Sequence, residues 1–174
     1  MPVGEKKVGL PELFYDLVFV YALSRTTELV HHADEADYVT FLISLVILFT
    51  VWSYQSIYIN RFGDNSWRDR LFLFADMFLL LFLSNAVGSD WLANFVPFNL
   101  ALGLLVGSVC LQYLLQLARH ASPEQRRRIK LVAGLRGLTA ATVLGSLLFP
   151  AHIGQWVALG GFGLGWILPT FVSH

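Results

Sequence analysis

Charge and cysteine are what this chain has least of. Of its 174 residues, 14% are Asp, Glu, Lys or Arg, against about a quarter in an ordinary soluble domain. So few ionic groups cannot cover a water-facing surface, and 56% of the chain is hydrophobic. The 12 basic and 12 acidic residues cancel to a formal net charge of zero, which gives no support to a nucleic-acid-binding role. The single cysteine, Cys110, excludes an internal disulfide. The three lysines, Lys6, Lys7 and Lys130, all lie at the margins of apolar runs, so a Schiff-base chromophore within a span is excluded. HExxH and GxSxG motifs are absent, and no Ser/His or Cys/His pair shares a depth within the apolar runs. The expectation is a protein without enzymatic activity, cofactor or bound metal.

What the chain does have is long apolar runs. A helix needs about 20 mostly apolar residues to cross ~30 Å of hydrocarbon. Stretches near residues 11–31, 38–59, 70–88, 97–118, 129–149 and 155–173 meet that length. The fold class expected is therefore all-α, a polytopic transmembrane helix bundle of about six spans forming a single domain over 1–174. Pro11 and Pro97 suit the first turn of spans one and four, where a missing N–H costs nothing, and Pro150 closes span five. Lys6 and Lys7 ahead of an apolar run superficially suggest a signal peptide, but Asp16 and Arg25 interrupt the run, so a retained first span is expected. Lys6, Lys7, Arg61, Arg68, Arg70, Arg119, Arg126, Arg127, Arg128 and Lys130 all fall on one side of the odd–even assignment. The positive-inside rule makes that side cytoplasmic and puts both termini there.

Polar residues within the spans recur at one depth. At 1.5 Å per residue, Asp16 lies ~8 Å into span one, Asp76 ~9 Å into span three and Arg136 ~10 Å into span five. Counted back from the cytoplasmic ends of spans two and four, Gln55 lies ~9 Å above Arg61 and Gln112 ~10 Å above Arg119. Ionisable groups inside a membrane normally face the bundle and find partners. The arrangement expected is a shared layer in which Arg136 bridges Asp16 and Asp76, with Gln55 and Gln112 completing the hydrogen bonds. Such a layer is either a site for a proton, cation or small polar solute, or a structural device that fixes which helices pack together. Asp16 and Asp76 sharing a proton as a hydrolytic dyad is disfavoured by the arginine.

Other polar residues have plainer readings. Arg25 and Glu28 form an i,i+3 pair or snorkel to the headgroups. "HHADEAD" (His31 to Asp37) holds metal-ligand residue types, but adjacent histidines diverge on a helix, so a solvated outer loop is expected. Trp52, Tyr54 and Tyr58 are read as belt or packing aromatics. "RRRIK" (Arg126 to Lys130) is a topology determinant or a lipid-headgroup site. Gly103 with Gly107 and Gly161 with Gly165 make two GxxxG stripes that let another backbone approach closely, consistent with a homo-oligomer.

"ELFYDLVFV" (Glu12 to Val20) followed by "IYINRFGDNSWRDRL" (Ile57 to Leu71) resembles the bacterial low-temperature-requirement protein A family of multi-pass membrane proteins. The resemblance is specific over about residues 10–88, and it carries the family motif onto Glu12, Asp16, Asn60, Arg61, Asp64 and Arg70. Where the family usually has Phe, this chain has Tyr15. Family members run to about twice this length, so the resemblance implies a half-length member or an N-terminal half, located in the bacterial inner membrane. The function expected is that of a transporter or channel-like protein using the Asp/Arg layer. The alternative is a structural or regulatory membrane component acting through helix–helix partner binding. The partners expected are the lipid bilayer, a second copy and a small ion or solute, without nucleic acid.

Overall fold

Helices begin in this chain where the sequence supplies a cap. In the computed structural model, α1 (Leu10–Thr27) carries Pro11 and Glu12 in its first turn, where the free N–H groups welcome a carboxylate. α3 (Trp67–Asn85) starts at Ser66, whose hydroxyl accepts from the Asp69 N–H at 3.4 Å. α5 (Pro123–Gly145) starts with a full capping box between Ser122 and Gln125, which satisfies two otherwise unpaired N–H groups at once. α2 covers Glu35–Phe62 and α6 covers Ala151–Val172. The structure describes residues 9–31, 35–64, 66–88, 90–117 and 122–172, with side chains omitted for 35–36 and 166–172. Lys6, Lys7, His32 and Arg119, used in the orientation and loop readings, lie outside the described residues.

α4 (Trp91–Leu117) corrects one expectation. Pro97 is inside the helix and not at its start. The helix begins at Asp90, whose side chain accepts from the Ala93 N–H at 3.0 Å and whose carbonyl takes the Asn94 N–H at 3.1 Å. An aspartate cap thus outweighs the single backbone bond that Pro97 cannot make. α5 likewise begins ahead of the expected residue 129, because "PEQRRR" is helical in its own right, with Arg128 reaching Glu124 at 3.2 Å on an exposed face. α2, α4, α5 and α6 outlast the spans that hydropathy marks, whereas α1 ends at Thr27, short of its expected span.

The fold is all-α among the described residues. Three helical stretches are long and apolar enough to cross a membrane: Asp37–Phe62, Trp91–Leu117 and Pro123–Leu148. α1 carries Glu12, Asp16 and Arg25, and α3 carries Arg68, Asp69, Arg70 and Asp76. Charge, not length, separates these two from the three. Large apolar side chains such as Leu17, Phe78, Leu138 and Trp156 point outward, each more than half exposed, as a bilayer-facing surface requires.

α4 is the hub. It packs most extensively on α5 and also on α3, while α1 lies against α3 and α6 against α5. α2 touches α1 and α4 more lightly. The glycine stripes serve contacts within the chain. A Cβ at Gly161 would collide with Thr142, one at Gly165 with Thr139, and one at Gly103 with Leu144. Those glycines bring α4 and α6 onto α5, so they no longer argue for a second copy. Arg25 and Glu28 pair as expected, at 2.5 and 2.6 Å.

Candidate functional site

Three helices meet through buried polar side chains. Gln55 of α2 and Gln112 of α4 exchange amide hydrogen bonds in both directions, each 3.2 Å. The Gln112 amide also donates to Asp76 Oδ2 of α3 at 3.1 Å and to Ser108 Oγ, one turn earlier on its own helix, at 3.3 Å. Gln55, Asp76 and Gln112 are each 1–2% exposed. Two amide hydrogens thus face three acceptors, while Asp76 Oδ1 makes no hydrogen bond of its own and the Ser108 hydroxyl lies beside the carboxyl. A carboxylate buried with one bare oxygen is costly. A proton on the carboxyl or a cation against it removes that cost.

A second buried orphan lies on α1. Tyr15 of α1 is 2% exposed and its hydroxyl has no hydrogen-bond partner. Asp76 and Asp16 both lie within electrostatic reach of that hydroxyl. On the other side of Tyr15 is a groove of about 220 Å³ between α1 and α2, lined by Glu12, Tyr15, Asp16, Trp52, Ser56, Ile59 and Asn60. Glu12 and Asp16, one helical turn apart, share its wall. Trp52 stacks on Phe19 at 5.3 Å and donates its indole N–H to Asp16 Oδ1 at 2.9 Å. Asp16 is exposed and lines the groove, whereas Asp76 is buried and lies outside its lining.

Arg136 does not join this layer, and the expected bridge to Asp16 and Asp76 is not formed. Its guanidinium lies over the Tyr54 ring at 3.1 Å from the centroid and donates to the Gly165 carbonyl at 3.3 Å. The cause is packing: α5 lies on α4 and α6, with no comparable contact to α1 or α3. Arg136 therefore turns into the gap between α2 and α6. The site is consequently more acidic than its sequence suggests.

The remaining motif residues shape the turn between α2 and α3. Asp64 Oδ1 accepts from the Ser66 N–H, and Asp69 Oδ2 accepts from the Asp64 N–H, both at 3.0 Å. Burial, and then the carboxylate of Asp64 beside it, push the Asp69 carboxyl above its usual range. Arg61 lies 5.7 Å from the centroid of the Phe62 ring, and Arg70 is exposed. Sequence reasoning missed Tyr15, Trp52 and Ser108. Tyr15 was legible as a hydroxyl placed where the resembling motif has none, but a Tyr in an apolar run reads as packing.

Comparison with known families matches residues 7–174 to the family described as bacterial low temperature requirement A protein (LtrA). Among curated proteins and among solved structures nothing matches.

Proposed function

The chain belongs to the bacterial low temperature requirement A family, and on that footing we propose a six-span protein of the bacterial inner membrane that passes a proton or small cation through Asp76. Glu12 and Asp16 collect the cation in the groove, Tyr15 separates groove from interior, and Asp76 holds it within the bundle. The observation that carries this reading is a pair of buried orphans, Asp76 Oδ1 and the Tyr15 hydroxyl, with Tyr15 lining a groove walled by two acids. A purely structural network would be expected to satisfy both atoms. Intramembrane acids that face a cavity are the usual elements of ion and proton paths.

The test is flux of protons and monovalent cations into liposomes holding the purified protein. Asp76→Asn and Asp16→Asn should each abolish it. Flux at the wild-type level in both variants would remove the proposal. A structural role is supported by one feature, the reciprocal Gln55–Gln112 amide pair, which ties α2 to α4 and needs no solute. It would gain ground if Gln55→Leu destabilised the protein while the wild type moved no ion.

A further inference from the structure

Arg136 is a buried cation with no acid to meet it. It is 9% exposed, and neither an Asp nor a Glu pairs with it among the described residues. The sequence explains why: beyond Asp90 the chain has one acid, Glu124 at the start of α5, and α2 has none after Asp37. A guanidinium offers five N–H donors, and leaving such a charge uncompensated inside a membrane protein is expensive.

The surroundings suggest what compensates it. Arg136, Tyr54 and Gly165 sit in a lateral crevice of about 480 Å³ between α2, α5 and α6. Its long wall is α2 from Leu45 to Ile57, which at 1.5 Å per residue runs ~18 Å. That is about the depth of one leaflet, half of ~30 Å of hydrocarbon. Leu45, Val46 and Phe49 make the upper part apolar. The lower part holds the guanidinium and, buried beside it, the Tyr54 hydroxyl. Arg126, Arg127, Arg128 and Lys130, all exposed, lie N-terminal to Arg136 on the same helix. A basic cluster at a membrane margin concentrates anionic lipid.

We propose that this crevice binds an anionic phospholipid, with its phosphate on Arg136 and the Tyr54 hydroxyl and one acyl chain along Leu45, Val46 and Phe49. The lipid supplies the counter-charge that the chain lacks and closes the loosely packed side of α2. This site is separate from Asp76 and from the groove of Glu12 and Asp16 and stands independently of any flux.

The experiment is native mass spectrometry of the purified protein titrated with phosphatidylglycerol or phosphatidylcholine. The wild type should hold one phosphatidylglycerol at least about tenfold more tightly than phosphatidylcholine, the size expected of a charge-assisted contact. Arg136→Gln should erase that preference and Arg136→Lys should restore part of it. Because Arg136→Gln could disturb folding, Ser53→Trp fills the crevice with Arg136 in place and should weaken both lipids. Equal binding of the two lipids by the wild type would overturn the proposal, as would a phosphatidylglycerol preference that survives Arg136→Gln. Displacement of the lipid by inorganic phosphate alone would also overturn it, by showing that the site takes a bare anion. So would a dimer crosslinked through Ser53→Cys that carries no lipid.

Discussion

Replacing Asp76 by Asn separates a functional acid from a structural one. The amide oxygen can keep the 3.1 Å contact with Gln112, while the new NH₂ takes the place of the bare Oδ1 with Ser108 Oγ and the Tyr15 hydroxyl as nearby acceptors. An ionisable acid at mid-span costs about 2.5–3.5 kcal/mol on insertion scales. Trading a charge-assisted hydrogen bond for a neutral one gives back about 1–1.5 kcal/mol. The balance is a gain of about 1–2.5 kcal/mol, or a rise of about 2–10 °C in a chain of this size. Thermal unfolding in detergent, followed by tryptophan fluorescence, reads it directly. Asp76→Ala is the control: it strands the Gln112 amide and should lower stability by about 1–3 kcal/mol. If Asp76→Asn melts below the wild type by as much as Asp76→Ala does, the carboxylate is a structural keystone and the reasoning fails.

Other perturbations follow from the same contacts. Gly161→Ala drives a methyl into Thr142 and should cost about 1–3 kcal/mol, whereas Gly160→Ala meets open space and should gain about 0.5–1 kcal/mol from helix propensity; equal melting temperatures for the two would contradict the α5–α6 packing. Trp52→Phe keeps the stack on Phe19 but removes the hydrogen bond to Asp16, and should cost about 1 kcal/mol; an unchanged melting curve would mean the bond is not made. Asp69, with its carboxyl held above the usual range by burial and by Asp64, binds its proton more tightly folded than unfolded. Its contribution is therefore complete at pH below the unfolded value and is lost as pH rises through the folded one. Asp69→Asn should flatten the fall in stability as pH rises above the ordinary carboxylate range, about pH 4, and a slope identical to the wild type would refute the assignment.

How far residues alone led is clearest from Gln112 and Arg136. Both lie at one depth by the 1.5 Å rise, and depth was legible because antiparallel neighbours count from common ends. Rotation about the helix axis was not legible, since an apolar exterior removes the polar face that marks orientation in soluble helices. Gln112 turns toward Asp76 and Gln55, while Arg136 turns toward Tyr54 and Gly165. Helix existence was plain from the apolar runs, because a backbone in lipid must bond to itself. Starts were less plain, as the Asp90 cap ahead of Pro97 shows. The glycines at 161 and 165 were rightly read as contact points, but their neighbours, Thr142 and Thr139, belong to a periodicity that an apolar run conceals.

Whether Asp76 exchanges protons with the groove can be observed without any transported species. Infrared difference spectra of the reconstituted protein, recorded on moving from H₂O to D₂O, should show an isotope-shifted carboxyl band that is lost in Asp76→Asn and slowed when Ser56→Trp narrows the groove. A carboxyl band assigned to Asp76 that is indifferent to D₂O would mean a sealed acid, and the account of a path from Asp16 through Tyr15 would be contradicted.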